Sequence, residues 1–397
     1  MTPSRLLFVD QAGALGGAEL FLLDVAERFR SRGRVLLFED GPFRARLLQA
    51  GVDVEVMDGV RGLSRLTKAG GPGRMLRSLP SMLKGVTMLR RRARKADLVY
   101  LNTAKALVLG ATASRLAGTP YIYHLHDLVS SDHFGRWNRR LLVELGNRAV
   151  AVIANSEATR AAFVESGGHP DLVSVVYNGF DCERFDRELA EGREGALRLR
   201  EGIGDGFLVT VVGRIAPWKG QHVLLEAVRR LPDVHACVAG AALFTADDQR
   251  YEARLREMSQ EASLRGRVRF TGFREDIPGI LAVSDVIVHC SVAPEPFGRV
   301  IVEGLLAGRP VIAADAGGAR EIVDAGRTGW LVQPGDPEGL ASAIADVRRD
   351  PGRAAGIAAA GREEVRTRFG LERILEQVEG IVSRCLSSPE RPGTGNR

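Results

Sequence analysis

Short apolar runs of strand length alternate with longer segments in which apolar positions recur every three or four residues, and this continues along the whole chain. The short runs read as strands buried on both faces, and the longer segments as helices with one apolar face. In the first half the pattern predicts strands at Leu6–Asp10, Val35–Glu39, Val54–Met57, Leu98–Leu101, Tyr121–His124, Val150–Asn155 and Val173–Tyr177. Helices are predicted at Ala18–Arg30, Ala106–Leu116 and Arg136–Arg148, and a Gly-rich break, Gly70-Gly71-Pro72-Gly73, precedes a basic helix.

After a charged stretch from Asp186 to Glu201 the pattern restarts. It predicts strands at Phe207–Val212, Val234–Ala239, Val268–Phe270, Val286–His289 and Val311–Ala313. The intervening helices are His222–Arg230, Asp247–Leu264, Ile277–Ala282, Arg299–Ala307 and a short one near Arg320–Ala325. Helices at Asp336–Arg348, Ala354–Phe369 and Leu371–Leu386 follow, ahead of a polar tail. Strands alternating with helices imply parallel sheets covered on both faces, an α/β class. At 397 residues the chain exceeds one ordinary core, so two Rossmann-like domains are expected. Their bounds are read as 1–185 and 186–370, with a last helix at 371–386 and a disordered tail at 387–397.

Composition narrows the classes. The four cysteines (Cys182, Cys237, Cys290, Cys385) form no CxxC pair and no Cys/His cluster of metal-ligand spacing, which supports neither a disulfide framework nor a zinc site. A reducing cytoplasm is the simplest compartment. The N-terminal apolar run Leu6-Leu7-Phe8-Val9 is too short for a signal-peptide core, and no stretch is long and apolar enough to span a bilayer.

The net charge of +6 is uneven: residues 1–185 carry 26 Lys/Arg against 18 Asp/Glu, and the remainder 29 against 31. Between Asp58 and Asp97 there are 11 basic residues and no acidic one, interleaved with apolar residues such as Met75, Leu79, Met82 and Leu83. A basic amphipathic segment over 61–95 suits an anionic surface, phospholipid headgroups or a pyrophosphate-bearing lipid; it is also what a solvated helix face looks like.

Three loops fall where open α/β sheets bind ligands, past the carboxyl ends of strands. The first, Gly13-Ala14-Leu15-Gly16-Gly17-Ala18-Glu19, lets backbone approach an anion at a helix N-terminus, and it lacks the GxGxxG spacing of a nicotinamide enzyme. The second, Gly213-Arg214-Ile215-Ala216-Pro217-Trp218-Lys219-Gly220, sets a guanidinium and an ammonium five residues apart after a strand, spaced to reach two phosphates of one diphosphate. The third is Pro294-Glu295-Pro296-Phe297-Gly298-Arg299-Val300-Ile301-Val302-Glu303. Here Pro296 and Gly298 are expected to hold the chain extended before a helix whose free N–H groups near 298–300 point at the diphosphate. Glu303 sits among Ile301, Val302, Leu305 and Leu306, so it needs partners, and ribose hydroxyls would serve. In His124-Leu125-His126-Asp127 two histidines and a carboxylate could suggest a metal, but no third ligand presents itself; His126 is read as the site residue and His124 as packing.

On these residues the chain resembles family 4 of the retaining glycosyltransferases. Glu295-Pro296-Phe297-Gly298 with Glu303 resembles that family's signature, as does the run through Gly304–Gly308, Arg309-Pro310-Val311-Ile312, Gly317-Gly318, Glu321-Ile322-Val323, Gly329-Trp330-Leu331-Val332 and Pro334-Gly335-Asp336. Gly213-Arg214 with Lys219-Gly220, Asn178-Gly179-Phe180-Asp181, Asn155-Ser156, His126-Asp127 and Gly16-Gly17-Ala18-Glu19 extend the likeness to about residue 385.

The resemblance implies the GT-B fold: facing Rossmann-like domains, the N-terminal one for the acceptor, the C-terminal one for a nucleotide sugar, and a last helix crossing back. It implies that Arg214 and Lys219 hold the donor diphosphate in place of a metal ion, with no cofactor. Glu303 would bond the ribose, Glu295 the donor sugar, and His126 the transferring sugar; Gly16 and Gly17 would bring backbone N–H groups to the diphosphate. Gly272, Phe273 and Arg274 would lie against the base, with Phe297, Gly298, Arg299 and Val300 completing the donor site. The implied activity is transfer of a hexose, with retention, from a nucleotide-diphosphate sugar to a glycan, glycolipid or small molecule. The implied location is the cytoplasm, on the inner face of the membrane through residues 61–95, with no nucleic acid as partner. Two other readings share the fold: a sugar-nucleotide epimerase, whose carboxylate arrangement the motifs match poorly, and a silent sugar-nucleotide sensor, which predicts loss of Glu295, Lys219 or His126.

Overall fold

In a computed structural model, which describes residues 5–11, 13, 15–57, 79–131, 133–201, 206–242 and 245–387, the chain divides into two units. One is Met1–Gly179 with Glu372–Arg397, and the other is Phe180–Leu371. The first unit holds, among its described residues, seven parallel strands: β1 (Leu6–Asp10), β2 (Gly33–Leu37), β3 (Asp53–Val56), β4 (Leu98–Leu101), β5 (Tyr121–Leu125), β6 (Ala151–Ala154) and β7 (Val173–Val175). Their order is β3-β2-β1-β4-β5-β6-β7, so the direction of winding reverses between β1 and β4. The strands are short and apolar because helices cover both faces; Phe8, Val9, Leu36, Tyr100, Ile122 and Val152 are all buried. The helix Leu371–Ser387 starts at the end of the second unit, and its residues from Glu372 on group with the first. There it buries Ile374, Val378 and Ile381 and sets Glu372 and Glu379 at 2.6 and 3.2 Å from the guanidinium of Arg28.

The second unit repeats the plan with β8 (Phe207–Val212), β9 (Val234–Ala239), β10 (Val268–Gly272), β11 (Val286–His289), β12 (Val311–Ala314) and β13 (Trp330–Val332). The order is β10-β9-β8-β11-β12-β13, again parallel, with the reversal between β8 and β11. Both reversal points open a crevice beyond the carboxyl ends of the strands, which is where such sheets take ligands.

Several expectations change. The charged stretch from Asp186 to Glu201, for which no element was expected, belongs to the helix Cys182–Glu201, and the units divide before it, at 179/180 rather than 185/186. This helix packs on the helix Ile277–Val283 by glycine contact: a Cβ on Gly192 would lie 2.9 Å from the Gly279 Cα. Its charge density hid the small residues that let two backbones touch. The helices Pro42–Gln49 and Glu157–Glu165 and the strand β13 went unpredicted, being short and carrying little periodicity.

Of the basic segment, residues 61–78, including the Gly-rich break, lie outside the described residues, as do residues 388–397 of the tail. The described helix Leu79–Ala93 turns Met82, Val86, Met88 and Leu89 into the core, so those apolar residues serve packing. Arg92 is taken by Glu55 and Arg90 by the Leu116 carbonyl at 3.1 Å. The outer face carries Leu83, Lys84 and Arg91, and the exposed Arg94 and Lys95 follow in the turn after it.

Candidate active site

In the second unit, the loop after β8 and the loop after β11 are brought together because those strands are neighbours. The β8 loop turns through Gly213 (φ 142°), forms a short 3-10 turn at Pro217–Lys219 and reverses at Gly220 (φ 68°). Gly220 is required twice over: its backbone is left-handed, and a Cβ there would stand 2.0 Å from the Cys290 carbonyl oxygen. Gln221 Nε2 donates to the Arg214 carbonyl at 2.9 Å and the Val292 N–H to the Trp218 carbonyl at 2.9 Å, pinning the loop to its neighbour. Both cations lie over the Trp218 ring, the Lys219 ammonium at 4.6 Å and the Arg214 guanidinium at 5.5 Å from its centre.

Lys219 Nζ donates to Glu295 Oε1 at 2.6 Å. The same oxygen accepts from His289 Nε2 at 2.8 Å and from the Ser291 hydroxyl. Glu295 is only 6% exposed. Burial would raise its pKa, but the Lys219 ammonium and His289 outweigh it and hold the carboxyl well below the usual carboxylate range. An ionised, oriented carboxylate therefore stands beside a cation at the sheet's reversal point. Gly317 and Gly318 keep it there: the Gly318 N–H donates to the Glu295 carbonyl at 2.9 Å, and a Cβ at Gly317 would lie 2.3 Å from that oxygen.

Gly298 does not extend the chain as expected; it takes a left-handed turn (φ 103°, ψ 57°) and caps the helix Arg299–Leu306. Phe297 is buried in a ring cluster with Phe180 and Phe369, at 6.4 and 5.5 Å between centres, so its side chain packs in the core. Arg299 lies over Phe180 at 4.3 Å and 3.6 Å from Glu303, one turn on. Burial raises the Glu303 pKa and Arg299 opposes that, while Arg299 Nε and Nη1 have no hydrogen-bond partner among the described residues. Val300 follows on the first turn of the same helix. At the end of β10, Gly272 (φ 69°) turns the chain to present Phe273, 56% exposed, and Arg274 is held by Asp276 through two contacts of 2.7 and 2.5 Å.

In the first unit the residues after β1, β4 and β5 converge. Gly16 and Gly17 are exposed at the start of the helix Gly17–Arg28, and beneath them Glu19 is 8% exposed. Burial, and then the neighbouring Asp10, push the Glu19 carboxyl up to about 8. Asp10 accepts from Asn102 Nδ2 at 2.6 Å, and Asn102 Oδ1 stands 3.0 Å from His126 Nε2. His124 is fully buried, paired with the Tyr100 hydroxyl at 2.7 Å, and its ring lies 3.9 Å from that of His126. Among the described residues, no group of three or more His, Cys, Asp or Glu is arranged to hold a metal ion.

The motif reading placed no role on His289, Ser291, Asp10 or Asn102. Each is a polar residue at the carboxyl end of an apolar strand, a signal present in the sequence whose partners only the strand order reveals.

Two Rossmann-like sheets, with a C-terminal helix that starts in the second unit and groups with the first, follow the plan of the GT-B fold, and the likenesses make this a glycosyltransferase. A crystal structure of the Anabaena protein Alr3699/HepE in complex with UDP-glucose superposes with a TM-score of 0.84 at 41% identity, over 96% of this chain and 100% of that one. A glycosyltransferase from Rickettsia africae shares the fold at 22% identity with a TM-score of 0.81, over 98% of this chain and 100% of that one. Residues 15–184 match the family described as Glycosyltransferase Family 4, and residues 197–364 the one described as Glycosyl transferases group 1. The GDP-mannose-dependent alpha-(1-6)-phosphatidylinositol monomannoside mannosyltransferase of Mycobacterium tuberculosis is 31% identical over 305 residues, 72% of this chain and 76% of its own. The D-inositol 3-phosphate glycosyltransferase of Corynebacterium urealyticum is 26% identical over 96% of this chain and 94% of its own. The chain belongs to the family 4 glycosyltransferases.

Proposed function

We propose that the protein is a retaining, metal-independent glycosyltransferase that moves a hexose from a nucleotide-diphosphate sugar to a hydroxyl of a glycan, glycolipid or small-molecule acceptor. The observation that carries this reading is the Lys219–Glu295 pair, an ammonium and an ionised carboxylate 2.6 Å apart at the carboxyl ends of β8 and β11. Breaking the bond from the sugar C1 to phosphate leaves negative charge on the diphosphate. Arg214, Lys219 and the N–H groups at Gly298–Val300 are the groups to receive it. Glu295 takes hydroxyls of the donor sugar, Glu303 the ribose, and the turn Gly272-Phe273-Arg274 the base.

In the first unit His126 serves the transferring sugar, and the exposed backbone of Gly16 and Gly17 serves the diphosphate and the acceptor. Retention follows if the acceptor attacks from the face the diphosphate leaves, a departing phosphate oxygen taking its proton; no protein nucleophile is then needed. The exposed basic face of Leu79–Ala93 would rest on an anionic membrane at the cytoplasmic side, which supports lipid-linked acceptors.

UDP-glucose is the first donor to try, since the 41% identical protein was crystallised with it. Purified protein incubated with UDP-glucose and other labelled sugar nucleotides, with sugar acceptors added, should yield a product of unchanged anomeric configuration by NMR. An inverted linkage would end the retaining assignment. Epimerised nucleotide sugar without transfer would replace the reaction altogether.

A further inference from the structure

Asn102 is fully buried, directly after β4, and its backbone N–H donates to the Val9 carbonyl at 3.1 Å. Its side chain joins three elements. Nδ2 donates to Asp10 Oδ2 at 2.6 Å and to the Ala18 carbonyl at 3.3 Å, and Oδ1 faces His126 Nε2 at 3.0 Å. Turning the amide over would set its oxygen against a buried carboxylate and a carbonyl while aiming N–H groups at the ring, so the surroundings allow one orientation. With Oδ1 as acceptor, Nε2 of His126 must carry a proton. A neutral His126 then holds its lone pair on Nδ1.

The neighbouring imidazole meets a different partner through Nδ1, and its Nε2 has no hydrogen-bond partner among the described residues. His124 is engaged by the Tyr100 hydroxyl, and burial, reinforced by His126, keeps its pKa well below the ordinary histidine value. Asp10 is equally buried, at the end of β1, and Asn102 donates to it across the sheet's reversal point.

We infer that Asn102, oriented by Asp10, is a positioning residue that fixes His126 as its Nε2–H tautomer and so selects the edge of the ring offered to the reacting sugar. This rests on the reading above that His126 serves the transferring sugar. Asp10 and Asn102 act without touching substrate: they hold the proton of His126 on Nε2. A ring free to change tautomer or rotate would spend part of its time with the wrong group forward, and misplacement on the ångström scale costs roughly 10²-fold in rate.

The test uses the full chain labelled with 15N-histidine, with two-bond proton–nitrogen NMR correlations and His126→Gln for assignment. The expected wild-type pattern for His126 is a protonated Nε2 and an unprotonated Nδ1. Asn102→Ala should convert it to a tautomer mixture and lower kcat about 10²-fold, with KM for the sugar nucleotide changed less than about threefold. Asp10→Asn, which frees the amide to turn, should produce the same mixture in milder form. If Asn102→Ala does not fold, the wild-type spectrum decides alone. A protonated Nδ1 with bare Nε2 in the active enzyme, or an unaltered His126 pattern in folded Asn102→Ala, overturns the inference. Absence of transfer in a wild type showing the expected pattern would instead overturn the proposed reaction.

Discussion

Replacing Lys219 by alanine removes the cation from a carboxylate that cannot escape to water. At the 2.6 Å separation the direct attraction is about 6 kcal/mol for an effective dielectric of 20, gross of the desolvation of both groups. Removing one partner of a buried pair typically costs about 3–5 kcal/mol, because the other charge stays behind. Here His289 and Ser291 still hold the same Glu295 oxygen, so the cost falls at or just below the lower end of that range, about 2–3 kcal/mol. For a unit of this size that is a fall of about 4–12 °C in its thermal transition, read by calorimetry.

Turnover should fall much further, by roughly 10²–10³ in kcat, the usual loss for one charge-stabilising donor. The double variant Lys219→Ala/Glu295→Gln separates the two effects. Neutralising the stranded carboxylate should restore most of the stability and none of the rate. If single and double variants melt together, Glu295 is not a buried ion held by Lys219. If Lys219→Ala turns over at full rate, the ammonium does not face the leaving group.

Three further outcomes are expected. Glu19→Gln should alter the pH dependence of the first unit: the native carboxyl stays protonated up to about 8 while the unfolded one ionises near 4.5, so wild-type stability falls as pH rises between these values and is level above. The slope amounts to at most about 5 kcal/mol over that window, and the glutamine variant should lack it in denaturant titrations from pH 4 to 9. Glu303→Ala should weaken binding of the free nucleoside diphosphate roughly 10- to 100-fold by titration calorimetry, as expected for losing a charged hydrogen-bond acceptor, with little change in melting. Gly317→Ala should displace the Glu295 loop, since its φ is 58° and the added methyl group meets the Glu295 carbonyl at 2.3 Å; expect a loss of about 1–3 kcal/mol and of donor binding, checked by melting and calorimetry.

Much of this protein is written locally. The alternation of short apolar runs with amphipathic segments is enough for parallel sheets, because a strand covered on both sides must be apolar throughout and a crossover helix needs only one such face. The loops at Gly213–Gly220 and Pro294–Glu303 were legible for the same reason: glycines and cations after a strand are local statements. Where the local signal misled, a second body supplied the missing term. The charges of Asp186–Glu201 suggest no element, yet Gly192 meets Gly279 across a helix contact that no window of sequence contains. The apolar residues of the basic helix read equally well as a lipid-facing stripe until Met82 and Val86 were found against the core.

Strand order decided the rest. Lys219 and Glu295 are 76 residues apart, and Asp10 and Asn102 are 92 apart; each pair meets because β8 lies beside β11, and β1 beside β4, where each sheet reverses its winding. Periodicity carries no information about which strands are neighbours, since a parallel sheet buries its strands alike in any order. The residues with chemistry could therefore be named one at a time from the chain, but the ionisation of Glu295, the raised pKa of Glu19 and the lock on His126 arise only from proximity. They belong to the tertiary structure, because a charge takes its energy from what surrounds it in space.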